Sequence, residues 1–207
     1  METTEHADIT WNNKLEQYFK HTGEKAHCLS ILHKNCEDVY SHRKSFIDLP
    51  VIIGSGIIAF LNAGSSSLFP NPLFASVSLG IGSLIMGVLN SIGTYYSFAK
   101  RAEGHRISSI QYSRLYRFLA IEMSLPRKER MTPHDLLKYT RDSYDRLQEI
   151  SPLLSKNTIN AFMKRFGDVE GIAKPEEVNG LEKIDIFIEG QSPIGFDIKK
   201  PDDNESD

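Results

Sequence analysis

Between residues 49 and 99 the sequence contains no Asp, Glu, Lys, Arg or His. Fifty-one uncharged residues in a row argue against an ordinary soluble helix pair, because a long helix at a soluble surface carries a polar stripe for its exposed side. Neither half of this stretch has one. Cysteine is scarce as well: Cys28 and Cys36 are the two in the chain. Eight residues apart on a helix, they stand about 12 Å apart, beyond the reach of an internal disulfide. Reduced thiols in a cytosolic setting are the expectation. Residues 1–20 lack the apolar core of a signal peptide, so the first apolar segment is expected to act as its own insertion signal. Catalytic patterns are absent too: there is no phosphate loop, no G-x-S-x-G and no paired carboxylate beside a histidine. Cys28, His33 and Cys36 do not have the spacing of a zinc site. His21, His27, His42, His105 and His134 have no fixed partner in the pattern. No enzymatic activity, metal or cofactor is expected, and no nucleic-acid partner.

The apolar stretch divides at Phe69-Pro70-Asn71-Pro72, a turn that ends any helix running into it. Residues 49–68 are left on one side and 73–95 on the other. Each piece approximates the roughly 20 apolar residues that cross a bilayer. The turn is too short for a soluble domain, so the second piece runs back beside the first. The expected fold is an all-α membrane protein. A transmembrane hairpin spans residues 46–98, extended by cytosolic helices at 11–45 and 99–125. A flexible lead at 1–10, a helical subdomain at 132–166 and an acidic tail at 167–207 complete the chain. The competing reading is a buried helical hairpin in a soluble core.

Mean hydropathy is −0.31, a soluble-looking average that hides one concentrated apolar block. The net charge of −3 hides a similar division. Residues 1–166 hold 20 basic and 15 acidic residues, and 167–207 hold 4 and 12. Arg43 and Lys44 precede the first apolar segment; Lys100 and Arg101 follow the second. An excess of Lys and Arg marks the cytoplasmic side. Both termini are therefore expected in the cytosol, with residues 65–72 across the membrane. Tyr95 and Tyr96 fall where an interfacial aromatic belt is expected. Residues 100–130 hold 8 basic and 3 acidic residues, which suits either contact with anionic lipid or a solvated stalk.

Small residues recur at helical spacing in the apolar block: Ser55, Ala59, Ala63 and Ser67; Ser76 and Gly80; Ser83, Gly87 and Ser91. Such faces let helix backbones approach closely in lipid, either within the hairpin or between subunits, and a homo-oligomer is expected. Asn62 and Asn90 are the polar outliers. They lie at different depths, so each either pairs with a copy in a neighbouring subunit, lines an aqueous path, or bonds a nearby carbonyl. Asn62, Gly80, Ser83, Gly87, Asn90 and Ser91 are the candidates for oligomer packing or a pore.

On the N-terminal side, Trp11, Leu15, Tyr18, Leu29, Leu32, Cys36 and Val39 follow steps mostly of three and four. Thr10 is the expected N-cap, Gly23 a weak point, and Pro50 tolerable in the first turn of the apolar segment. Beyond it, Ala102, His105, Ser109, Tyr112, Leu115 and Leu119 continue a helix, and the two flanks are expected to pack antiparallel. Thr132-Pro133-His134-Asp135 predicts an N-cap for a helix to Ile150. Its inner face is Leu136, Leu137, Tyr144 and Leu147, with Thr140 the polar member. Ser151-Pro152 predicts a further short turn, and residues 158–166 a last helix stopped by Gly167. In the tail, Ile184, Ile186 and Ile188 alternate with charged or aromatic neighbours, and Ile194, Phe196 and Ile198 repeat the pattern. The tail reads either as a β-hairpin or as a disordered acidic segment, and these six residues are candidates for docking a protein partner.

The whole plan resembles the SLATT family of two-transmembrane effectors associated with nucleotide-sensing systems. The carrying features are WNNKLEQYFK, the approach SHRKSFIDLPVIIGSGI and the exit SIGTYYSFAKRAEGHRISSIQYSRLYRFLAIEMSLP, over about residues 11–166. The resemblance implies one of two roles. Bacterial conflict-system members imply a pore-forming effector with a fused sensor domain, which this chain is expected to lack. Members similar to those of large DNA viruses with an internal membrane imply a stand-alone chain. Such a chain would be a virion membrane or minor capsid component, linking bilayer to capsid through its C-terminal region. Residues 168–207 lie outside the family pattern.

Overall fold

Asn12, not Thr10, starts the first helix: its side chain accepts a hydrogen bond from the Leu15 amide at 2.8 Å. Asn is the stronger cap of the two, and Trp11 is left just ahead of the helix rather than in it. The computed structural model describes residues 9–180. Helix α1 (Asn13–Ala63) then runs 51 residues without a break, about 75 Å. It passes through Gly23 and through Pro50, whose missing N–H removes one backbone bond. Gly64 ends it, its amide reaching the carbonyls of Asn62 and Phe60. The first apolar helix therefore stops short of Leu68, and Ser65–Leu68 forms a separate turn, α2. After the bend at Pro70, Asn71 caps α3 (Pro72–Tyr96), accepting from the amides of Leu73 and Phe74 at 3.0 and 3.3 Å. Ser97 sits in the left-handed region at φ 50° and divides α3 from α4 (Phe98–Ser124). Its hydroxyl donates to the Thr94 carbonyl at 3.0 Å, which helps hold a conformation unusual for a residue with a Cβ.

The two arms form one antiparallel hairpin in constant register. Ile47 packs on Gly93, Met86 on Gly54, and Ile58 on Gly82. The members of each pair are equidistant in sequence from Pro70. The pairing continues below, within about two residues of that register: Ser109 Oγ donates to the Ser30 carbonyl at 2.9 Å, and Leu119 packs on Gly23.

The two halves of this hairpin differ in what they bury. The polar half closes a core around Phe19, Leu29, Leu32, Tyr112, Leu115 and Leu119. In the apolar half the outward side chains meet no protein: Phe46 is 80% exposed, Phe60 72% and Leu73 73%. Among the described residues, two helical stretches are long and apolar enough to cross a membrane, one in α1 and one in α3–α4. None of the most apolar stretch of the first is buried, and 11% of the second. A soluble core helix has the opposite pattern.

The remaining helices cover the polar half. In α5 (Pro133–Ile150), Thr132 accepts from the Asp135 amide, and Leu136, Thr140 and Leu147 are buried. The short turn expected at Ser151-Pro152 does not form. Ser155 instead caps α6 (Lys156–Phe166), which brings Phe162 into the core. A four-residue helix, α7 (Glu176–Asn179), follows. The described residues are helical throughout their regular structure. The tail reading falls at 181–207, so Ile184, Ile186, Ile188, Ile194, Phe196 and Ile198 lie outside the described residues.

Candidate functional site

The expected packing residues of the apolar half stay outside the hairpin. Asn62, Gly80, Ser83, Gly87, Asn90 and Ser91 are all exposed. A Cβ added at Gly80 or Gly87 would meet nothing within 4 Å. Gly87 and Ser91 lie in a shallow groove with Leu84, Val88, Ile92 and Tyr95. The arms approach each other instead at Gly54, Gly82 and Gly93, glycines the small-residue pattern did not single out. The Ser91 hydroxyl folds back onto the Gly87 carbonyl at 2.9 Å. The side-chain amides of Asn62 and Asn90 form no hydrogen bond among the described residues.

At the junction of the two halves, Tyr40 is a hub. Its ring takes the guanidinium groups of Arg43 and Arg101 at 5.8 and 5.9 Å, one from each arm. Phe98 lies 6.4 Å away and itself stacks on Tyr96 at 5.4 Å. Both arginines are exposed. Lys44 comes within 3.9 Å of Asp48; Arg43, Lys100 and Arg101 have no carboxylate partner among the described residues.

Beneath Tyr40, His105 stacks on its ring at 5.5 Å, nearly parallel. The Nδ1 of His105 lies 2.8 Å from the Nδ1 of His33 on the opposite arm. His33 in turn stacks on Tyr112 at 5.6 Å. Both histidines are buried. One neutral ring donates its Nδ1 hydrogen and the other accepts, so the pair consists of complementary tautomers. Burial, then the charge His105 would carry, pushes the His33 pKa down to about 4. Burial, then Arg101, pushes that of His105 down as well. Both rings are held neutral near pH 7.

A second polar cluster closes the far end. Arg127 binds both carboxylate oxygens of Glu16 at 2.8–2.9 Å, and Arg130 adds a bond at 2.6 Å. These bonds, with Arg127 first, hold the Glu16 carboxyl at about 2. Arg130 also stacks over Trp11 at 5.1 Å, and Trp11 meets Phe19 edge-on. Among the described residues no group of three or more His, Cys, Asp or Glu converges as a metal site would. Both cysteines are free and buried.

Sequence reasoning gave His105 and His27 no partner. The structure pairs the first with His33 and stacks the second on Tyr116 at 4.2 Å. The signal was available: folding the sequence about Pro70 sets residue 33 opposite 107, within one helical turn of His105. No family model, curated protein or solved structure matches the chain.

Proposed function

We propose that this chain is a non-enzymatic integral membrane protein in which α1 and α3 cross the bilayer as a hairpin. Its remaining helices stand in the cytosol, and the protein acts as an oligomeric structural anchor. The observation that carries the reading is the division of one hairpin into a half that buries a core and a half whose apolar side chains face outward. Water disfavours that outward surface by about 25 cal/mol per Å², and lipid removes the penalty. The basic residues at the junction favour a cytosolic stalk. The open small-residue face of α3, with Gly80, Ser83, Gly87 and Ser91, suits contact with a second copy. The resemblance to SLATT-like chains of internal-membrane viruses supports a virion membrane or minor capsid component, docked to a protein layer through the C-terminal region.

Alkaline carbonate washing of membranes tests insertion: the chain should stay in the pellet, and its release would overturn the reading. Removal of residues 168–207 should leave insertion intact and abolish co-purification of the protein partner; an unchanged partner set would count against docking there.

The side-chain amides of Asn62 and Asn90, exposed and without a hydrogen bond among the described residues, favour a second reading, a SLATT-like pore whose subunits turn these groups to water. Reconstituted vesicles should then leak ions, and Asn90→Leu should change the leak. Silent vesicles at high protein load would remove this reading.

A further inference from the structure

The geometry points to the Tyr40 collar as a binding site for the phosphate of an anionic phospholipid. This inference rests on the membrane reading and adds to it the lipid class recognised. Arg43 comes from α1 and Arg101 from α4, and one aromatic ring holds both. Two guanidinium groups gathered about one ring concentrate donors suited to phosphate oxygens. Lys100 adds a further cation on the same turn as Arg101. No carboxylate neutralises Arg43, Lys100 or Arg101 among the described residues, and Glu103 is occupied by Arg106 through two bonds at 2.7 and 2.8 Å.

The depth fits as well. Tyr95, 82% exposed, and Tyr96 and Phe98 form a run of ring contacts that ends on Tyr40. Exposed aromatics of this kind mark the headgroup level. Phe46, 80% exposed and just ahead of the uncharged stretch of α1, follows Tyr40 by six residues, about 9 Å. The collar therefore sits where lipid phosphates lie. A basic segment serving orientation alone needs only its charge; here the two arginines, from opposite arms, are also drawn to one aromatic ring. The lipid phosphodiester is chosen over free phosphate because the apolar face beside the collar accepts its acyl chains.

Native mass spectrometry of the full chain released from neutral detergent tests this. Equimolar phosphatidylglycerol and phosphatidylcholine with the same acyl chains are the probes. The wild type should retain phosphatidylglycerol preferentially. Arg43→Gln/Arg101→Gln should cut that preference roughly tenfold, whereas Arg114→Gln/Arg117→Gln, an equal loss of charge on the stalk, should not. Both collar arginines are exposed, so their removal leaves the core intact. Tyr40→Leu keeps every cation but frees the two arginines, and should lower the preference severalfold. Equal retention of both lipids, equal effects of the two double variants, or an unchanged preference in Tyr40→Leu would overturn the inference. So would displacement of phosphatidylglycerol by millimolar inorganic phosphate. Carbonate extraction separates the two levels: a chain that stays in the pellet yet ignores headgroup charge loses this inference alone.

Discussion

His33 and His105 meet Nδ1 to Nδ1 at 2.8 Å across the stalk, a contact with room for one hydrogen between the two nitrogens. Arg101 and Tyr112 on α4 and Tyr40 on α1 face the pair; Tyr144 on α5 touches Tyr112. No carboxylate stands among these groups to accept a positive charge. With the His33 pKa lowered from 6.5 to about 4, the unfolded chain binds more protons than the folded one between those values. The stabilisation is complete above pH 6.5 and is lost as pH falls toward 4. The loss amounts to up to about 3 kcal/mol. Thermal melts in detergent should show Tm falling across this window. The double variant His33→Leu/His105→Leu should flatten it, and an unaltered pH profile in that variant would refute the assignment.

Glu16 acts in a lower window. Its pKa falls from 4.5 to about 2 in the folded chain, so its contribution is present above pH 4.5 and fades as pH drops toward 2. Glu16→Gln should cost about 1–2 kcal/mol at neutral pH, the range for charged hydrogen bonds partly screened by solvent. Because Arg130 joins Glu16 to Trp11, the same variant should shift Trp11 fluorescence. A melt and an emission spectrum matching the wild type would show that the cluster stabilises nothing.

Thr140 is buried in α5, and its Oγ1 finds no hydrogen-bond partner among the described residues. Valine has nearly the same shape and no hydroxyl to desolvate. Thr140→Val should therefore raise stability by about 1 kcal/mol, while Thr140→Ser, which keeps the hydroxyl and loses a methyl, should lower it. A drop in Tm for the valine variant would mean the hydroxyl has a partner after all.

The coarse plan was legible because it rests on local signals. An uncharged run, two prolines around Asn71 and the Thr132 cap each act within a few residues, and α3 and α5 form where those signals place them. The inner face of α5 was readable from its periodicity for the same reason. What escaped was set by contacts between arms. Spacing alone marks Ser83, Gly87 and Ser91 as a small-residue face without deciding between the other arm and another copy; register about Pro70 sets Gly54, Gly82 and Gly93 against the partner arm and leaves Gly87 facing open space. The His33–His105 pair escaped for that reason too: each histidine has an unremarkable local setting, and only the hairpin joins them. Asn12 displaced Thr10 as the cap through a competition two residues wide, too fine for pattern reading.

The glycines of the apolar half offer a way to separate packing within one hairpin from packing between copies. A Cβ at Gly93 would stand 3.2 Å from Cγ2 of Ile47, a β-branched side chain with little rotamer freedom. A Cβ at Gly54 would meet the Met86 sulfur at 2.6 Å, but methionine is unbranched and yields readily. Gly93→Val should therefore loosen the hairpin more than Gly54→Ala, although the closer clash is at Gly54. Gly87 faces open space in the monomer. Gly87→Leu should leave the hairpin's thermal stability in detergent unchanged while blocking close approach of a second helix. Cross-linking through Ser83→Cys reads association directly, since both native cysteines are buried. The expected order is intact melting with lost cross-links for Gly87→Leu, and a lowered Tm for Gly93→Val. If Gly87→Leu cross-links as efficiently as its parent, the open face of α3 is not where copies meet.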